Sequence, residues 1–324
     1  MSIIKNILKK CTLCPRNCGV NRLAGEKGFC KETSELRVAV AVIHKGEEPP
    51  LVGTGGSGTI FISGCNLGCV FCQNYQVSQG AAGTESLGKK VSSNDFAKIC
   101  EALRDAGAEN INIVTGSHAI PAIIEGLIAA RDIGVQIPVL WNCSGYETPF
   151  ALELLKDYVD VFLPDLKTLD SEIAKKFFNA PDYPEAAVKA ILKMIELTQH
   201  TDNDKSKVII RHLIIPGFLE STRSVLKWFS DKTNSVCVKD HALLSLMTQY
   251  TPIPNRGTHG SLETQIAPQR YLSEEEYCTV LNWLEEFEIE DGFCQELVTG
   301  NDWLPDFRRT NPFPSKLSIP VWSM

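Results

Sequence analysis

Apolar positions along the chain fall into short continuous runs separated by longer stretches of helical period. The runs 59–62, 111–115, 137–141, 159–163, 208–214 and 242–247 are strand-sized, and all but the last are rich in β-branched or aromatic residues. Consecutive apolar positions of that length predict strands covered on both faces, as in a parallel sheet interior. Between them lie stretches with helix punctuation: 94–105 behind SSND, 121–132 from Pro121 to Gly134, 148–156, 171–178, 184–198 and 222–230. The run 36–43 (LRVAVAVI) alternates, then turns apolar, and predicts a further strand. Six strand–loop–helix units result, and their polar clusters all follow strand carboxyl ends, where barrel enzymes assemble their sites. The expected fold is α/β, a partial (β/α)6 TIM-like barrel over 51–250. A cysteine-rich element (1–50) precedes it, and a C-terminal extension (251–324) packs on it.

The connecting segments read as surface. Glu47, Glu48, Pro49 and Pro50 predict a solvated turn, and 201–207 (TDNDKSK) an exposed connector. Beyond a proline- and glycine-bearing loop at 251–270, a helix over 273–288 opens with a Ser-x-x-Glu capping box. A strand-like GFCQEL follows, then a tail, DWLPDFRRTNPFPSK, that would either close the barrel's open side or dock a partner.

Composition changes this picture in three ways. No apolar run reaches membrane-spanning length, and MSIIKNILKK lacks a small-residue cleavage site, so the expectation is a cytoplasmic protein. A net charge of -7 gives no electrostatic reason to expect nucleic acid as the main partner. Twelve cysteines without an export signal point to metal or redox chemistry in a reducing compartment, not to disulfides.

Two groups of these cysteines carry chemistry. Cys65, Cys69 and Cys72 lie in the loop after the 59–62 strand, spaced by Gly64, Asn66 and Gly68. A structural zinc site closes with four protein ligands, and ordinary ferredoxin clusters take four cysteines. Three in one loop therefore suggest a [4Fe-4S] cubane with one iron left open. Cys11, Cys14, Cys18 and Cys30 form a closed set, C-x2-C-x3-C-x11-C, with Pro15, Gly19, Gly25 and Gly28 as turn formers between them. Three close cysteines and a distant fourth are nearer the ferredoxin style, while zinc also fits; either would supply local folding energy. Cys100, Cys143, Cys237, Cys278 and Cys294 have no partner spacing and read as packing residues.

The C-x3-C-x-Φ-C pattern, with Phe71 before its last cysteine, resembles the signature of the radical S-adenosylmethionine (SAM) superfamily. Gln73-Asn74 resembles the His-Asn that follows it in glycyl-radical-enzyme activases. Nearly the whole chain is similar to uncharacterised iron–sulfur proteins described as homologues of pyruvate formate-lyase activating enzymes. The resemblance implies a radical SAM core in which the amino and carboxylate groups of SAM chelate the open iron. It further implies reductive cleavage to a 5′-deoxyadenosyl radical that abstracts hydrogen. The cluster would work at roughly -400 mV or below, which calls for a flavodoxin- or ferredoxin-like electron donor.

Candidate SAM contacts follow from the same resemblance. Gly116-Ser117-His118 stands where the family carries Gly-Gly-Glu-Pro, so the contact there would be backbone, Ser117 or His118. Asn142 and Ser144 match the strand end that meets the methionyl part, although activases have aspartate at the position of Asn142. Asp165-Leu166-Lys167 matches the activase Asp-Leu-Lys, a carboxylate for amine or ribose hydroxyl and an ammonium for the SAM carboxylate; the alternative is a surface ion pair. His212 in RHLIIPG matches a SAM-contacting histidine, and Phe71 and Asn74 complete the set. Three functions stay open: an activase acting on a partner glycyl-radical enzyme, a radical SAM enzyme modifying another peptide or small molecule, and a non-catalytic iron–sulfur or zinc-binding protein.

Overall fold

The computed structural model describes residues 2–79, 86–199, 208–233, 241–253 and 267–324. The expected connector 201–207, Cys237 and most of the loop 251–270 lie outside the described residues.

Among the described residues ten strands form one sheet. In chain order they are β1 (Leu36–His44), β2 (Ser57–Ile62), β3 (Lys89–Val91), β4 (Ile111–Val114), β5 (Val139–Cys143), β6 (Val161–Pro164), β7 (Val208–Leu213), β8 (Ala242–Met247), β9 (Gly292–Cys294) and β10 (Ser318–Ser323). The order is β10-β1-β2-β4-β5-β6-β7-β8-β9, with β3 paired to β1. Neighbours from β2 to β9 run parallel, and β1 is antiparallel to β2, β3 and β10. The end strands β9 and β10 do not pair with one another, so the architecture is an open, partial (β/α)6 barrel.

Helices follow the inner strands because each crossover must cover one sheet face. Ser93–Asp105 starts on a complete Ser92/Asp95 capping box, and Ile120–Asp132 carries Pro121 in its first turn. A large core fills the space between strands and helices, while Leu51, Leu140, Leu163 and Ile209 form a separate cluster inside the barrel. Those four side chains plug one end and leave the carboxyl end open.

Two boundaries move for local reasons. Strand β5 begins at Val139 because Pro138 has no N–H to give the ladder; β6 begins at Val161 because Val159 N–H still bonds Leu155 in the preceding turn. The tail adds β10 on β1, and Phe307 and Phe313 pack on Val40, Val42, Phe61 and Val114. The GFC segment adds β9 beside β8.

Candidate active site at the carboxyl end of the barrel

Strand β2 hands the chain to the cysteine loop through Ser63 and Gly64. The Ser63 hydroxyl donates to Leu87 O at 2.6 Å, and Gly64 turns at φ +88°. A Cβ on Gly64 would stand 2.9 Å from Cys30 O and 2.4 Å from Glu32 Cγ, so only glycine lets the N-terminal element and this loop touch.

The loop is held from outside by an arginine that sequence reasoning passed over. Arg16 donates to the backbone carbonyls of Asn66 (3.0 Å), Leu67 (3.1 Å), Phe178 (2.7 Å) and Asn179, and its guanidinium lies 3.7 Å from the Phe29 ring centroid. Phe71 meets Phe177 edge-on at 5.5 Å and packs against Phe178 and Tyr250. Arg16→Ala is expected to lower stability by about 2 kcal/mol and to reduce the iron taken up on anaerobic reconstitution. Arg16→Lys should not restore it, because one ammonium cannot reproduce a planar fork reaching four acceptors. Iron per chain and the thermal midpoint check both; equal iron uptake by Arg16→Ala and wild type would count against a clamping role.

Cys65 is buried and accepts a bond from Leu67 N–H at 3.3 Å, while Cys69 and Cys72 are partly exposed. Burial pushes the Cys65 thiol up to about 11 and the Cys69 thiol well above its usual value, and the Lys167 ammonium opposes the rise at Cys69. Burial would lower Lys167, but Asp165, at 2.6 Å, and the neighbouring cysteines outweigh it and hold the ammonium charged. A cation beside these thiols eases the proton loss that metal binding requires. Cys69 and Cys72 open onto a cavity of about 610 Å³, lined also by Phe71, Gln73, Asn74, Asn142, Asp165 and Lys167.

Among the described residues no three His, Cys, Asp or Glu side chains converge on a single ion position. In a cubane each thiolate binds a different iron, so its ligands need not converge in that way. Three thiols on one loop, an adjacent cation and an open cavity fit a cluster with one iron exposed. In the N-terminal element Arg22, itself buried, bridges two sulfurs: Nε donates to Cys11 Sγ and Nη2 to Cys30 Sγ, each at 3.0 Å. Burial pushes Cys14 up to about 12, and Cys18 stands against Gly28. These soft donors suit zinc and iron–sulfur alike; one ion on all four would require the sulfurs to draw closer than they stand.

The other sequence candidates fall elsewhere. Gly116 is pressed against Ile123 and Trp141, where an added Cβ would come within 2.7 Å of either. The Ser117 hydroxyl donates to Glu147 Oε1, and Ser144 Oγ lies 3.5 Å from Asn66 Oδ1 beneath the loop. His118 is buried, pushed down to about 3 by burial and Arg22, and faces Gly64 and the N-terminal element. His212 differs from the expectation. Side chains alternate along a strand, so Arg211 and Leu213 line the cavity while His212 faces the helix layer. There its Nδ1 lies 2.7 Å from Leu166 O and its Nε2 3.0 Å from Thr222 Oγ1, which occupies both nitrogens.

The turn expected to be solvated is exposed at Pro49 and Pro50 but not at its two glutamates. Glu48 is buried, and its carboxylate takes both Nε and Nη2 of Arg211; Arg211 Nη2 also reaches Glu47, and Asn112 Nδ2 donates to Glu47 Oε1 at 2.9 Å. All three charged residues line the same cavity as Cys69 and Cys72, with Arg211 in register beside Asp165. Their signal in the sequence was Arg211 itself, since an arginine inside an apolar strand must find a carboxylate. Cys278 and Cys294 are exposed rather than packed, and Cys294 lines the same cavity.

Residues 59–229 match the family model of the radical SAM superfamily. The chain belongs to that superfamily: an enzyme class of radical chemistry whose members imply a [4Fe-4S] cluster and SAM. It is 34% identical over 254 residues to the uncharacterized protein MJ0674 of Methanocaldococcus jannaschii, covering 78% of this chain and 69% of that one. Among solved structures it is similar to Streptococcus suis SuiB (16% identity, TM-score 0.46, 72% of this chain and 47% of that chain). It is also similar to methylornithine synthase PylB (16%, 0.46, 68% and 59%) and Escherichia coli QueE (15%, 0.33, 66% and 94%). The chain thus spans about half the length of the first two, and at these identities and TM-scores none of the three lends it a substrate. No helix among the described residues is long and apolar enough to cross a membrane.

Proposed function

We propose that this chain reductively cleaves SAM at a cluster held by Cys65, Cys69 and Cys72, and uses the resulting 5′-deoxyadenosyl radical to abstract hydrogen from a substrate in the barrel cavity. The observation that carries this reading is the Asp165–Lys167 pair, half-buried beside Cys69 and Cys72 at the cavity wall. When bound, the cluster supplies one electron to the sulfonium and an iron site for the amino and carboxylate groups. The chain supplies the rest. Lys167 offers an ammonium to the SAM carboxylate, Asp165 accepts from an amine or ribose hydroxyl, and Asn74 and Asn142 add polar contacts along the wall. Phe71 keeps the loop packed, which limits water at the reacting end.

Two substrate classes remain within this reading. An activase acting on the glycine of a partner enzyme is supported by the Asp165–Lys167 match. A radical SAM enzyme modifying a small molecule or peptide is supported by the Glu47–Glu48–Arg211 floor, a second charged site that SAM does not need. A flavodoxin or ferredoxin serves as electron donor in either case. The N-terminal cysteines are read as a second cluster or a zinc site, and counting iron and zinc on the reconstituted chain separates them.

Electron paramagnetic resonance tests the cluster assignment. The reduced, reconstituted chain should show a signal whose g-values shift on adding SAM, and the Cys65→Ala, Cys69→Ala, Cys72→Ala variant should lack that SAM-sensitive signal. A wild-type signal indifferent to SAM would contradict an open iron. An oxygen-sensitive doublet on a glycine-loop partner would support the activase reading.

A further inference from the structure

One hydrogen-bond donor in the cavity wall, His44, stands away from the cysteine loop and has no partner. Strand β1 runs antiparallel to β2, so His44 pairs with Ser57 at the start of β2, whereas the cysteine loop leaves β2 after Ile62. Five strand steps, roughly 16 Å, separate the two ends. His44 shares the inner face of β1 with Val40 and Val42 and lines the cavity. Its Nδ1 accepts from Gly46 N–H at 3.0 Å, which leaves the ring proton on Nε2, and burial keeps the ring neutral. The residue is only 6% exposed. Among the described residues Nε2 has no hydrogen-bond partner, yet it is not sealed off as the orphaned Nδ1 of His118 is; the cavity reaches it. The wall around this N–H is aromatic. Phe313 stands edge-on to His44 with centroids 4.8 Å apart and packs on Phe61 at 5.8 Å, and Trp303 lies 6.3 Å from His44. A Cβ on Gly46 would come within 2.6 Å of Trp303 and 2.8 Å of His44, so glycine there lets the tail bring its indole toward the imidazole.

We propose that His44 Nε2–H donates to a carbonyl oxygen on an uncharged, flat group of a small-molecule substrate, which Trp303 and Phe313 hold, and so fixes which end of that substrate lies away from the radical. This rests on the reading of the cavity as the substrate site of a radical SAM enzyme. The chemistry of the wall selects the class. An ammonium has no lone pair to accept from Nε2–H. A carboxylate or phosphate would meet Glu47 and Glu48, two carboxylates against the single guanidinium of Arg211. A hydrocarbon would leave the N–H buried and unpaired. Aromatic side chains suit a planar group, and about 610 Å³ is a typical ligand-site volume.

The test is a ligand-observed NMR titration of the anaerobically reconstituted full chain with three probes that share one ring: benzamide, benzoate and benzylamine. Benzamide is expected to bind saturably, and the two charged probes about tenfold more weakly or not at all. His44→Phe, which keeps a ring but has no donor, should weaken benzamide about five- to tenfold, the loss of one hydrogen bond. His44→Gln, which keeps an N–H, should stay within about threefold of wild type. Circular dichroism checks that the variants are folded; if His44→Phe fails to fold, Trp303→Leu replaces it and is expected to weaken benzamide in the same direction. SAM is titrated into the same proteins, where it should bind wild type and His44→Phe equally and should not displace benzamide. Preference for benzoate or benzylamine, equal benzamide affinity in wild type and His44→Phe, displacement of benzamide by SAM, or no binding of any probe would overturn the proposal. Formation of 5′-deoxyadenosine is read separately. Its absence with the probe order intact would fault the radical reading alone, and its presence with the probe order absent would fault this inference alone.

Discussion

Arg211→Met is expected to destabilise the chain by about 3–5 kcal/mol, the usual cost of removing one partner from a buried ion pair. Both carboxylates it now neutralises stay behind: Glu48 is buried, and Glu47 sits next to it in sequence and space. At present burial tends to raise the Glu48 carboxyl, but Arg211 outweighs it and holds it below the ordinary value. Without the guanidinium that balance reverses, and the folded-state value rises above the unfolded one. Stability in the variant should then recover as pH falls, because protonation removes the orphaned charge. Denaturant midpoints for wild type and variant at pH 7.5 and 5.5 check this. A deficit that is unchanged by pH would mean lost packing rather than an unpaired carboxylate.

Glu147→Gln is expected to do the opposite. Glu147 is fully buried, accepts from Ser117 through Oε1, and has no partner at Oε2; burial raises it from 4.5 to about 7. A carboxyl whose folded value is raised contributes its full stability below the unfolded value and loses it as pH climbs through the folded value. Ionising this group in the fold therefore costs about 3 kcal/mol across that window. Glutamine stays neutral, so the variant should match wild type near pH 4.5 and exceed it by about 3 kcal/mol at pH 8. Unfolding at both pH values decides it. A variant less stable than wild type at pH 8 would mean that the carboxylate has a cationic partner in the fold.

The barrel was legible because its strands are continuous apolar runs and its helices carry caps, signals that depend only on near neighbours in sequence. The cysteine loop was legible for the same reason, since eight residues hold all three thiols. What escaped depends on distant contacts. Arg16 reaches carbonyls some 50 and more than 160 positions away, and Arg211 meets Glu47 and Glu48 at separations of 164 and 163. Neither leaves a periodic trace. His212 shows the reverse failure: a motif placed it at the site, while one step along the strand turned it away from the cavity and gave the facing position to Arg211. The tail strand β10 was hidden because Pro320 interrupts its run, which an edge strand tolerates.

The most direct test of the central claim is 5′-deoxyadenosine formed from SAM by the anaerobically reconstituted full chain under strong reductant, compared with the Cys65→Ala, Cys69→Ala, Cys72→Ala variant. The account predicts formation by wild type and none above the uncatalysed background by the variant. No 5′-deoxyadenosine from wild type with its cluster intact, or equal amounts from both proteins, would contradict it.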